Sequence, residues 1–192
     1  MLFRSKLRGH TIQMNFFETS NSEYNPTVLL NSEFRKQLLD DAISKKTQHR
    51  IFRTEGENFV YSVQADWIIP EIESIFGITG IKRILYFVVA GQIQGSIHQD
   101  ANLLNGRHTQ ESYILPIENC DGMLMSWWRP TGDIEYFEGA EKPSKVPRIK
   151  PEHAEKIAET SLAKPLRVDV FQFHSVKNTQ NNVADFLSIR FE

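Results

Sequence analysis

The spacing of apolar positions changes once along the chain, near residue 82. Before that point it follows helical intervals. Asn31-Ser32 can cap a helix predicted from Glu33 to about Lys46, with Phe34, Leu38 and Ala42 at fourfold spacing on one face. Pro70 suits the first turn of a second helix that carries Ile72, Ile75 and Phe76, and Gly77 suits its stop. From Lys82 onward the pattern is that of strands. Ile84 to Ala90 is rich in β-branched and aromatic residues and fits a buried strand. Further short runs follow over 94–100, 112–117, 123–128, 134–137, 166–174 and 184–191. Turn-forming groups such as Asn105-Gly106, Asn119 to Gly122 and Pro130 to Asp133 separate them. Repeated short strands with this punctuation predict an antiparallel sandwich or barrel.

The segment 138–164 interrupts the strands. Pro143, Pro147 and Pro151 mark a loop, and 152–162 is predicted as a short helix. The segment therefore reads as an insertion, either a surface excursion or a rim or lid element.

Composition narrows the class. The chain has 192 residues, a length that suits one domain, 1–192. Such a chain buries roughly two-thirds of its unfolded surface and can stand on its core without staples. Its single cysteine, Cys120, excludes a disulfide framework or a paired-cysteine zinc site. The net charge of −2, with no basic run, gives no argument for nucleic acid. The longest apolar run is far too short to span a membrane, and the first residues lack the apolar block of a signal peptide. The expectation is a soluble cytoplasmic protein with no nucleic-acid or membrane partner.

The residues that carry chemistry start with His98-Gln99-Asp100. On a strand, positions i and i+2 point to one side, so an imidazole and a carboxylate converge as a two-ligand edge for a divalent metal. His174, a polar residue ending the apolar run from Val168, is the candidate third ligand. Two His and one carboxylate suit ferrous iron and leave coordination positions open. In the last strand Ala184, Phe186, Ser188 and Arg190 share one side, and Leu187, Ile189 and Phe191 the other. An arginine facing a barrel interior needs an anion, and a guanidinium beside a hydroxyl matches a carboxylate. Arg107 is a second candidate for that role, and Lys177 reads as exposed. Trp127 and Trp128 point to opposite faces, one into the core and the other to a rim or pocket. His10, His49 and His153 sit in polar contexts, and His108 lies close to the proposed site.

His98-Gln99-Asp100, the distal His174 and the late Arg190 together resemble the HxD…H…R pattern of the iron(II)- and 2-oxoglutarate-dependent oxygenases. The stretch from His98 through Arg107 to Cys120 is similar in layout to their aspartyl/asparaginyl β-hydroxylase branch. That branch usually lacks the metal-binding carboxylate that Asp100 supplies here. The resemblance covers about 84–191. It implies a mainly β chain with flanking helices: a double-stranded β-helix (jelly roll, cupin-like) over 82–192, after a mixed α/β flank over 1–80. It further implies Fe(II) held by His98, Asp100 and His174, and 2-oxoglutarate with its distal carboxylate on Arg190 or Arg107, with Ser188. The implied reaction is hydroxylation of a C–H bond in a small molecule or peptide side chain. The place where many members carry the arginine is taken by Ala184, so both arginines stay open. Two other classes fit the same residues. One is a jelly-roll binding module without turnover, and the other a cupin-type metalloenzyme that needs no 2-oxoglutarate.

Overall fold

The computed structural model describes residues 17–19, 36, 40, 60–77, 79–102, 107–109, 111–138 and 145–191. The helix predicted over 33–46 lies almost wholly outside them; Lys36 and Asp40 within it are helical. The second predicted helix is present as α1 (Ile69–Phe76), with Pro70 in its first turn. Gly77 closes it at φ 61°, a left-handed conformation that costs glycine little.

The strands in chain order are β1 (Phe17–Thr19), β2 (Val60–Gln64), β3 (Arg83–Val89), β4 (Ile97–His98), β5 (Ala101–Asn102), β6 (Arg107–His108) and β7 (Glu111–Glu118). They continue as β8 (Met123–Pro130), β9 (Ile134–Glu138), β10 (Lys145–Ile149), β11 (Ala154–Ser161), β12 (Leu166–Asp169), β13 (His174–Asn178) and β14 (Ala184–Arg190). One sheet has the order β1-β12-β7-β14-β3-β2, the other β11-β8-β13-β4-β10-β9, and β5 and β6 pair separately. Among the described residues the strand pairs are antiparallel. The chain passes back and forth between the sheets, from β3 to β4, β7 to β8, β11 to β12, β12 to β13 and β13 to β14. This is a double-stranded β-helix, a jelly roll of the cupin-like kind.

The crossings have local causes. After β12, the Asp169 carboxylate accepts the amides of Phe171 (2.9 Å) and Gln172 (3.1 Å). That turn splits the run predicted over 166–174, so His174 begins a strand of the second sheet instead of ending one in the first. After β3, the chain passes so close to the 180–181 backbone that a Cβ on Gly91 would lie 2.3 Å from the Asn181 carbonyl oxygen. After β13, buried Asn178 donates to the Val89 and Asn182 carbonyls and accepts from the Gln180 amide, which fixes the last crossing.

The insertion expected over 138–164 contains no described helix. Its 145–149 segment is β10, which pairs with β4 and β9, and its 154–161 segment is β11, which pairs along β8. The helix expected over 152–162 is instead a 3-10 turn (Pro151–His153) followed by β11. Pairing with β8 satisfies the backbone of this segment, which lacks a wide apolar stripe to bury as a helix. Ala154, Ala158 and, at its end, fully buried Leu162 are its contributions to the apolar clusters.

The first sheet is covered on both sides. Ile84, Tyr86, Val88, Leu187 and Ile189 point outward and pack with Ala65, Ile68, Ile72 and Ile81. Asp66 ties this layer down by accepting the Ile84 amide at 2.8 Å. The opposite side, with Val89, Ile114 and Phe186, faces Met123, Met125 and Trp127 of the second sheet and forms the larger core. Each buried Leu or Ile contributes roughly 1.5–3 kcal/mol relative to exposure. Among the described residues no helix is long and apolar enough to cross a membrane.

Candidate metal centre

β4 is only two residues long, yet it sets the site. His98 is the register partner of His174 on β13 and of Arg148 on β10. Directly opposed residues project to the same face of an antiparallel sheet. The two imidazoles therefore stand side by side on the inner face, with ring centroids 4.6 Å apart. Their outward-facing neighbours Ile97, Ile149 and Phe173 form a separate apolar cluster on the other face. Asp100 lies just past β4, in a bend. Its amide donates to the Val170 carbonyl (3.0 Å) and its carbonyl accepts the Thr109 amide (2.8 Å), so its backbone is held from two sides.

His98, Asp100 and His174 each offer one ligand atom, and these atoms lie within 4.8 Å of one another. The ring orientations suit a cation. Nδ1 of His98 is 2.9 Å from the Ser96 carbonyl oxygen, and Nδ1 of His174 is 2.9 Å from that of Gln172. A carbonyl only accepts, so each Nδ1 carries the proton and each Nε2 keeps its lone pair. A hydrogen bond on the far nitrogen fixes ring orientation and tautomer and raises ligand basicity. Nε2 of His98 lies 3.5 Å from Oδ1 of Asp100.

The electrostatics agree with that chemistry. Burial, with His98 close by, lowers His174 from 6.5 to about 4, so the ring is neutral at physiological pH. Burial would raise Asp100. The Arg190 guanidinium beside it outweighs this and holds the carboxyl well below the usual carboxylate range. Two neutral imidazoles and an ionised carboxylate are the state in which a divalent metal binds. Cys120 offers no competing nucleophile, since burial pushes its thiol up to about 12.

Arg190 and Ser188 lie on the inward side of β14, as the alternation predicts. Arg190 donates to Oδ2 of Asp100 at 2.7 Å and to Oγ1 of Thr109 at 3.2 Å, and its side chain is 14 % exposed. Its Nε is buried with no hydrogen-bond partner among the described residues. The Ser188 hydroxyl is 2.6 Å from that of Ser112. Arg107 is in β6 beside the site, with its side chain outside the described residues. The side chain of His108 is likewise outside them, as are His10 and His49. His153 packs against Gly132, and Lys177 is exposed. Trp127 is fully buried and donates to the Asp169 carbonyl. Trp128 turns to the opposite face and donates to Ser175.

Three features escape sequence reasoning. Thr109 and Ser112 engage Arg190 and Ser188 only because β7 and the hairpin before it come to lie against β14. Arg148 reaches the His98 row only because residues read as a loop form β10. The inward alternation of Ser112 with Ile114 is the one signal the sequence offers for any of them.

The triad opens onto a cavity of about 110 Å³. Phe87, Val89, Ile114 and Phe186 line it from the first sheet, and Met125 and Val176 from the second. Phe87 and Phe186 stack at 5.0 Å between centroids. Leu162 and Val170 complete its apolar part, while Asp100, His98, His174 and Arg190 stand together.

No family model matches the chain, and no curated protein matches it. Among solved structures it is similar to YcfD of E. coli, at 14% identity and TM-score 0.45, over 72% of this chain and 35% of that one. It is also similar to a mutant oxalate decarboxylase of Bacillus subtilis, at 13% identity and TM-score 0.36, over 76% and 28%. A third is the Lactobacillus farciminis oxalate decarboxylase formate complex, at 9% identity and TM-score 0.36, over 77% and 32%. The chain spans about a third of the length of these proteins or less. Likenesses this distant carry no argument about chemistry. What stands on the chain's own geometry is a cupin-like double-stranded β-helix with a His/Asp/His cluster able to hold a metal.

Proposed function

We propose that the chain is an Fe(II)- and 2-oxoglutarate-dependent dioxygenase that hydroxylates a C–H bond of a small molecule or peptide side chain. The observation that carries this reading is the meeting of His98, Asp100 and His174 where the cavity begins, with Arg190 against them. The donor set fits ferrous iron, because two neutral imidazoles and a carboxylate on one face leave positions for oxygen and an organic ligand. Iron bound there would supply oxygen activation beside the cavity. His98 and His174 would hold it through Nε2. Asp100 would contribute a carboxylate oxygen while Arg190 keeps that carboxylate ionised and oriented. For 2-oxoglutarate the fit rests on Arg190, whose buried Nε lacks a partner among the described residues and can donate to a carboxylate.

A second reading, a cupin-type metalloenzyme that needs no 2-oxoglutarate, draws on two observations. Arg190 is already paired with Asp100, and the Ser188 hydroxyl with Ser112. One experiment separates the two. Metal-free protein is titrated anaerobically with Fe(II), then with 2-oxoglutarate. The expected result is Fe(II) binding, then a visible charge-transfer band, both absent in His98→Ala. Fe(II) binding without the band favours the second reading, and no metal binding overturns both.

A further inference from the structure

We infer that the organic group brought to this centre is a compact branched aliphatic one, seated in the cavity with its polar atoms at the His98–Asp100–His174 end. The inference rests on the reading of those residues as a metal centre. The cavity has two chemically distinct parts. The walls away from the triad are Phe87, Ile114, Met125, Leu162, Val176 and Phe186, and none of them donates or accepts a strong hydrogen bond. The one described cation on the lining is Arg190, which sits against Asp100. The Ser188 hydroxyl is committed to Ser112.

A charged or strongly polar group pushed among these walls would lose its water and meet, beyond Ser96 two residues before His98 and the Ser112-bonded Ser188, no further polar side chain of the described lining. A hydrocarbon group loses nothing there and fills a void whose lining lacks contacts. Size selects further. An apolar cavity of about 150 Å³ takes benzene, so about 110 Å³ suits roughly four to six carbon atoms. The polar head of such a molecule would face the triad end of the cavity.

The test uses Co(II)-loaded protein and three acids: 4-methylpentanoate, 3-phenylpropanoate and 4-hydroxybutanoate, whose polar tail lacks the second carboxylate of 2-oxoglutarate. Calorimetry reads acid binding, and the visible Co(II) bands read the metal. The expected result is that 4-methylpentanoate binds about tenfold or more tightly than 4-hydroxybutanoate, the margin a hydrophobic pocket commonly gives, and that the bulkier 3-phenylpropanoate does not. Val176→Phe, which fills the cavity from β13, is expected to erase that preference with the Co(II) bands of the acid-free protein retained. Val176→Ala, which needs no new space, is expected to shift the preference toward the larger 3-phenylpropanoate. 4-Hydroxybutanoate binding as tightly as 4-methylpentanoate, or 4-methylpentanoate binding insensitive to Val176→Phe, would overturn the inference. If Co(II) fails to bind while 4-methylpentanoate still binds in a Val176-dependent way, the metal reading falls and the cavity assignment stands.

Discussion

The two sheets face one another across the same core but hold different kinds of residue. In the first, β14 is buried along almost its whole length. Leu187 and Ile189 lie under the α1 layer, and Ala184 and Phe186 face the interior. The second sheet is more exposed along its β11 edge. Across its middle it carries a row of ionisable side chains, Arg148, His98 and His174, on adjacent strands. A strand covered on both faces by hydrocarbon cannot keep an unpaired ionisable group, because nothing there replaces its water. A strand that ends where a cavity opens can keep one, provided partners such as the Ser96 and Gln172 carbonyls are in place. The two imidazoles thus stand on the second sheet, and the first brings Arg190 to them from the end of β14.

The comparison breaks most directly at Leu187. Leu187→Ala is expected to cost about 4 kcal/mol, by lost transfer energy plus a cavity under the α1 layer. Urea unfolding measures it, and Co(II) affinity per folded molecule should not change. A loss of metal affinity there would mean that the sheets are not separable in this way.

On the other sheet the expected signature is in pH. His174 titrates near 6.5 when unfolded and at about 4 when folded, so the unfolded chain takes up the proton first. The metal-free protein is therefore expected to hold this contribution in full above about pH 6.5 and to lose on the order of 3 kcal/mol as pH falls to about 4. His174→Gln should flatten that window. Asp100, whose folded carboxyl is depressed, contributes above its unfolded value near 3.9 and is lost only below it, so the two windows do not overlap. Denaturant midpoints across pH 4–8 for both proteins decide the matter, and an unchanged slope in the variant would assign the effect elsewhere.

The smallest effect belongs to the exposed edge of the second sheet. Arg129 and Glu155 pair across β8 and β11 at 2.5 Å, both more than half exposed. Exposed pairs contribute little, and Arg129→Ala is expected to change stability by less than about 1 kcal/mol. A larger loss in thermal unfolding would show that this edge helps hold the sandwich together.

Much of this was legible one residue at a time. The alternation along 184–191 put Ser188 and Arg190 on the inner face. The i, i+2 spacing of His98 and Asp100 brought them to one place, although β4 ends between them. Pro70 and Gly77 bounded α1. The misreadings share a cause. The 138–164 segment reads locally as a loop and a helix, with Pro143, Pro147 and Pro151 as loop signals, because β4 and β8, which receive it, are remote in sequence. β10 and β11 form because β4, β8 and β9 offer paired backbone edges, and pairing across a sheet leaves little trace in local composition.

Local spacing and alternation were enough for the residue types at the centre, their placement on one face, and the predominance of strands, because side-chain direction on a strand depends only on neighbouring backbone. The partners were not readable in this way. Arg190 meets Asp100, Ser188 meets Ser112, and His174 opens a strand of the second sheet beside His98. Each of these joins elements separated along the chain, and each is set by strand order and register, which depend on how the whole chain closes over its core.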